Sequence, residues 1–152
     1  MSFFNSMNVS ASGLTAQRMR MDILSSNLAN VETTRTPDGG PFRRRTVIFE
    51  ERQPRGANNS FSAMFDRVMG RTPARGTGVR VHSIVEDPTP GPRVFDPGHP
   101  DADAYGYVER PNVNIVAEMT NMISASRAYE ANITAMNVTR SMINRTLEIA
   151  GR

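Results

Sequence analysis

Apolar side chains recur seven residues apart at both ends of the chain and lose that rhythm in between. From about Ser2 to Val31 one series runs through Met7, Leu14, Met21 and Leu28, and a second set holds Phe3, Leu24 and Val31. A seven-residue repeat gives a helix one apolar seam that faces a partner helix. Ser10 and Gln17 interrupt the second set, and Gly13 costs about 1 kcal/mol against alanine in a helix interior. This first helix is weak by itself. From about Asn112 to Ala150 the repeat is longer, with Ile115, Met122, Tyr129, Met136, Ile143 and Ala150 in one series and Met119, Ser126, Ile133, Arg140 and Leu147 interleaved four residues later. At 1.5 Å per residue that helix spans roughly 55 Å. Two such helices, brought together from the chain ends, predict a coiled-coil arm that orders by packing on itself and on neighbours.

Between the arms the punctuation changes. All ten prolines lie from Pro37 to Pro111, and nine of the eleven glycines lie from Thr34 to Pro111. Proline lacks a backbone donor and clashes inside a helix, so the middle is irregular or β-rich. Alternation predicts strands over 45–51, where Val47 and Phe49 alternate with Thr46, Ile48 and Glu50, and over 78–85, with Val79, Val81 and Val85. Shorter candidates cover 93–95 and 105–109. Pro88, Pro90 and Pro92 and the stretch 97–100 read as turns. The expected class is α+β: a helical arm (1–34), a small β-rich inserted domain (35–111) and a second helical arm (112–152). The insert carries a mobile loop over 52–76 with one amphipathic turn around Met64, Phe65 and Val68.

Composition narrows the function classes. Of 152 residues 38% are hydrophobic and 22% charged, with a net charge of +3, and all 18 basic residues are arginine. No cysteine is present, which removes disulfides, thiolate metal sites and cysteine nucleophiles. Residues 1–30 lack the basic start and apolar run of a cleaved secretory signal, and no stretch reaches the roughly 20 apolar residues of a membrane span. Export, if it occurs, is expected by a route that leaves the N-terminus uncleaved, without membrane insertion.

Two short blocks carry a family signature. Ser12-Gly13-Leu14, Ala16-Gln17, Arg20, Asp22 and Ser26-Asn27-Leu28-Ala29-Asn30 resemble the N-terminal motif of flagellar rod, hook and hook-associated axial proteins. Thr33-Thr34-Arg35-Thr36-Pro37 followed by Gly39-Gly40-Pro41-Phe42-Arg43-Arg44 resembles the proximal rod type. At the other end Gly106-Tyr107-Val108, Pro111-Asn112-Val113-Asn114, Glu118-Met119, Asn121-Met122-Ile123 and the run from Ala125 to Asn132 agree with it. Arg127, Tyr129 and Asn132 belong to that last block, and 52–76 has no counterpart.

The resemblance implies a structural subunit of the proximal rod, without enzymatic activity or cofactor, that assembles helically into a drive shaft and export channel in the periplasmic part of the basal body. It implies as partners other rod subunits, the distal rod, the junction with the inner-membrane ring, further copies of itself, and the flagellar type III export apparatus. Phe3 and Met7 fit the spacing of an export-gate signal and equally fit the seam.

The quoted residues also have physical roles. Leu28 continues the seam, Ala29 admits a neighbouring helix, and Asn27 and Asn30 bond backbone carbonyls or end the helix. The full seam comprises Met7, Leu14, Met21, Leu24 and Leu28 with Ile115, Met119, Met122, Tyr129, Ile133, Met136, Ile143 and Leu147. Arg140 is its anomaly, with Asp22 the first candidate partner. Four methionines in each arm suit either core filling or adaptation to unlike neighbours.

Other chemistry finds little support. Asp96, His99, Asp101 and Asp103 suggest a metal at first sight, but a calcium loop starting at Asp101 would place Tyr105 and Asn112 where carboxylates are required. His82 has no triad companions. Arg43, Arg44 and Arg45 make nucleic acid the alternative partner, though no recognised binding motif accompanies them and Glu50 and Glu51 follow closely.

Overall fold

The computed structural model describes residues 3–37, 39–52, 65, 69 and 78–151, with the side chains of 3 and 150 left aside. Helix α1 (Phe3–Ala29) leads to strands β1 (Arg45–Glu51), β2 (Val79–Glu86), β3 (Arg93–Phe95) and β4 (Tyr107–Glu109), and helix α2 (Ile115–Ala150) follows. The class is α+β, with a helix at each end and two two-stranded sheets, β1–β2 and β3–β4, between them. Both helices stop or start where the proline-bearing segment begins or ends. The loop expected over 52–76 and its amphipathic turn lie almost wholly outside the described residues.

Contacts divide the chain into two compact units. One holds Met1–Ala16, Phe49–His82 and Ala128–Arg152, and the other Gln17–Ile48 and Ser83–Arg127. In the second unit Leu24, Phe42, Val108, Ala125 and Pro111 are buried. The β3–β4 pair is antiparallel, with Val94 opposite Val108 and Phe95 opposite Tyr107. Gly91 passes so close to Arg110 that a side chain there would run into the Arg110 carbonyl, and Arg110 in turn donates its amide to the Pro92 carbonyl (3.0 Å). Asn114 opens α2 by accepting the amide of Ala117 (3.1 Å), the usual way an asparagine satisfies a helix N-terminus.

In the first unit Ser12 ties α1 to β2. Its hydroxyl donates to the Val9 carbonyl (2.7 Å) and accepts the Val79 amide (3.0 Å). Gly78, at φ +124°, lies where any Cβ would collide with that hydroxyl. Gly13 faces Asn132 in the same way: a Cβ on Gly13 would sit 2.9 Å from the Asn132 carboxamide oxygen. The helix-weakening glycine therefore serves close packing between α1 and α2.

Candidate functional site

A buried polar cluster joins α1, the start of β1 and the first turn of α2 in the second unit. Asn27 and Glu118 are both 0% exposed. The Asn27 carboxamide nitrogen donates to the Arg45 carbonyl (2.8 Å) and to Glu118 Oε2 (2.8 Å), while its oxygen accepts the Arg45 amide (3.0 Å). The side chain thus presents to β1 the same donor and acceptor that a neighbouring strand would. Arg44 completes the arrangement, donating Nε to Glu118 Oε1 at 2.7 Å and its amide to Asn112 Oδ1 at 2.9 Å. Every oxygen of the buried carboxylate has a partner, the condition under which a buried charge is tolerated.

Each element delivers its residue for a local reason. Asn27 falls two residues before the end of α1, and Asn30 stops the helix by bonding Ser26 O through both its amide and its carboxamide (3.1 and 2.9 Å). Thr33 then donates to the Asn30 side-chain oxygen (3.2 Å). Glu118 sits in the first turn of α2, where the helix dipole favours negative charge. Arg45 stacks over Phe42, 5.6 Å from the ring centre, and pairs with Glu86 at 3.0 Å. Two of the three arginines considered for nucleic acid therefore spend their guanidinium groups on carboxylates of this chain, and Arg43 is exposed.

The seam residues fall into three groups. Leu24 is buried; Met7, Leu14, Met21 and Leu28 on α1, and Met122, Tyr129, Met136 and Ile143 on α2, are half-buried; Ile115, Met119, Ile133 and Leu147 are exposed. The less exposed positions that accompany the Met122 series are Glu118, Ala125, Asn132 and Thr139. The apolar repeat read from the sequence passes over these positions because three are polar and the fourth is the small Ala125. Asn132 donates to the Ala128 carbonyl (2.8 Å) and Thr139 to that of Ala135 (2.9 Å). Arg127, Arg140 and Asp22 are exposed. Glu118 and Arg44 were legible only as motif letters. The signal that marks them is a lone carboxylate at an inward position of an apolar repeat, with arginines in the segment between the helices.

The acidic group around β3 and β4 builds turns. Asp96 accepts the Gly98 amide (3.2 Å), and Asp101 accepts the Thr34 hydroxyl (2.8 Å) and faces Arg35 at 3.7 Å. Asp103 accepts the amides of Tyr105 and Tyr107 (2.8 and 2.9 Å). The Tyr107 amide above all holds the Asp103 carboxyl below the ordinary aspartate value. Similarly, Arg80 is the main cause lowering Glu50, which it meets at 2.9 Å, and His82 adds a contact at 3.1 Å. Among the described residues no group of three or more histidine, aspartate or glutamate side chains is arranged to hold a metal ion, and no helix is long and apolar enough to cross a membrane.

Comparison with known proteins meets this geometry at both helices. Residues 7–35 match the family described as flagella basal body rod protein, and residues 104–149 match the flagellar basal body rod FlgEFG protein C-terminal family. The chain is 49% identical to the flagellar basal-body rod protein FlgC of Borreliella burgdorferi, with 98% of each chain covered. It is 46% identical to FlgC of Bacillus subtilis, over 98% of this chain and 99% of that one. Against FlgC of Salmonella typhimurium the identity is 38%, again with 98% of each chain covered. The two family matches take in both carboxamide and carboxylate of the buried cluster, Asn27 and Glu118.

Proposed function

This chain belongs to the FlgC-type flagellar basal-body rod proteins and is a structural subunit of that rod, and on that premise we propose how its parts serve the assembly. The two terminal helices form the axial, coiled-coil arm, and the segment 35–111 is a domain inserted between them. The observation that carries this reading is the Asn27–Glu118–Arg44 cluster, which fastens the end of α1 to the start of α2. Beyond it, α2 exposes Ile133, Val138, Met142, Leu147 and Ile149. At 100° per residue Ile133 and Leu147 lie on one side of the helix and Val138, Met142 and Ile149 on the opposite side, and exposed apolar surface on both sides is what more than one neighbouring subunit would cover. The seam residues Met7, Leu14, Met21, Leu24 and Leu28, with Ile115, Met119, Met122, Tyr129, Ile133, Met136, Ile143 and Leu147, then divide between packing within the subunit and packing against its neighbours.

The position proposed is the proximal rod, in the periplasmic part of the basal body, in contact with other rod subunits and the inner-membrane ring junction. Contacts between unlike surfaces of successive subunits generate an open helix, here a tube around the export channel. The chain travels through the type III export apparatus with its N-terminus uncleaved and its arms unpacked, Phe3 and Met7 being the candidate signal. Its role is mechanical, without catalysis.

Mass spectrometry and hydrogen exchange test this together. Chain recovered from purified basal bodies should retain its original N-terminus, and amides over 3–16 and 128–150 should exchange fast in the free chain and slowly in the assembled one. A cleaved N-terminus, or equal protection of both arms in the free monomer, contradicts the proposal.

A further inference from the structure

Each terminal helix carries a second seven-residue repeat, on a side turned away from its buried positions. In the first unit α2 holds Val138, Met142, Arg145 and Ile149 at intervals of four, three and four residues. All are exposed, and they face away from the less exposed Asn132, Met136, Thr139 and Ile143. Val138 is 54% exposed, Met142 51% and Ile149 79%. Val138, Met142 and Arg145 also line a groove of about 400 Å³ whose other walls, Thr134, Asn137 and Ser141, come from the same helix. Apolar residues at that spacing form the seam of a coiled coil, and among the described residues none covers this one.

In the second unit α1 repeats the same intervals. Arg18, Asp22, Ser25 and Ala29 are all exposed, on the side opposite the buried Leu24 and Asn27. Run antiparallel, the two sets match layer for layer: Ala29 against Val138, Ser25 against Met142, Asp22 against Arg145, and Arg18 against Ile149 with Glu148 beside it. The alanine and serine leave room for valine and methionine, and each arginine meets a carboxylate. A parallel pairing sets like positions of the repeat against each other and never brings Asp22 opposite Arg145, so charge selects the antiparallel one. The side chains of Arg18, Asp22, Arg145 and Glu148 are exposed and make no ion pair or hydrogen bond among the described residues, which leaves all four available to another chain. With one seam on α2 and the other on α1, the contact is between unlike surfaces, the kind that propagates into an open helix.

We propose that the outward seam of α2 in one copy docks antiparallel on the outward seam of α1 in a neighbouring copy, held in register by Asp22 with Arg145 and Arg18 with Glu148. The proposal rests on the rod reading and names the surfaces by which two copies meet in it.

Because the chain has no cysteine, paired single substitutions report the contact directly. Two differently tagged copies, one with Ser25→Cys and one with Met142→Cys, are co-expressed in place of the wild type, and purified basal bodies are mildly oxidised. The expected product is a disulfide-linked dimer carrying both tags, with none when the second cysteine is moved to the opposite side of α2 by Arg140→Cys. Adding Asp22→Arg to the first copy should lower the dimer yield on the order of tenfold, since two guanidinium groups then face each other, and Arg145→Asp in the second copy should restore it. Failure of tagged wild-type chain to enter basal bodies overturns the rod reading and this inference with it. Tags present without the dimer, as when a different subunit covers the seam, overturn this inference alone. So does an equal yield from Arg140→Cys, or a dimer that charge reversal leaves unchanged or that the reciprocal substitution fails to restore.

Discussion

Replacing Asn27 by leucine tests the buried cluster at its centre. The two side chains share a branched four-atom skeleton, but leucine's methyl groups are bulkier than the carboxamide, so at this fully buried site an overpacking cost of about 1–3 kcal/mol adds to the lost bonds. Three hydrogen bonds at 2.8, 2.8 and 3.0 Å are lost, leaving the amide and carbonyl of Arg45 and one oxygen of Glu118 without a partner. At about 1–3 kcal/mol for each buried polar group left unsatisfied, the cost is roughly 3–9 kcal/mol, a large share of the 5–15 kcal/mol typical of a domain. With the urea slope of about 1–3 kcal/mol per molar usual for small proteins, the midpoint falls by at least about 1 M. Asn27→Asp separates chemistry from shape. It keeps an acceptor for the Arg45 amide but sets a second carboxylate against Glu118, which raises the pKa of the pair in the folded state. A folded state that binds more protons than the unfolded one loses stability as pH rises, so this variant should approach the wild type near pH 5 and fall well below it at pH 8. Urea unfolding followed by circular dichroism at both pH values measures each effect. A shift under about 0.3 M for the leucine variant, or a pH-independent deficit for the aspartate variant, refutes the assigned role.

Other expectations follow from single contacts. Gly13→Ala gains up to about 1 kcal/mol of helix propensity, yet its methyl must displace the Asn132 carboxamide 2.9 Å away; swimming and α1–α2 protection should drop, and Asn132→Ala on the same chain should restore them. Gly78→Ala, at φ +124° and against Ser12, should release the Val79 amide from the Ser12 hydroxyl, seen as faster hydrogen exchange at Val79. Asp103 titrates below its ordinary 3.8, so the stability it contributes is present above that value and is lost as pH falls through the lowered folded pKa. Amide protection at Tyr105 and Tyr107 should collapse over that acid range and show no such step in Asp103→Asn.

The outline of the fold was legible because it depends on local chemistry. Proline confined to 37–111 separated the helices, and β1 and β3 form over the residues their alternation indicated, because strand patterning is a period-two signal that needs no partner to be read. The ends of the helices fell within three residues of the expected ones, set by Asn30 and Asn114. The buried cluster was harder to read. Its members are 91 residues apart in the chain at Asn27 and Glu118, and a buried glutamate looks like a surface residue until its arginine is found. Rules that count apolar side chains assign inward positions to Met119 and Ile133, whereas on α2 the less exposed positions are Glu118 and Asn132. Hydrogen bonding there accepts polar groups that hydrophobicity alone would turn outward.

The central claim, that this chain is a structural part of the proximal rod, is tested most directly by imaging basal bodies purified from cells lacking it and from cells complemented with it. The account predicts rings whose rod stops near the inner membrane in the absence of the chain, with a complete rod restored by the wild type and not by Asn27→Leu. A complete rod in cells lacking the chain would contradict it.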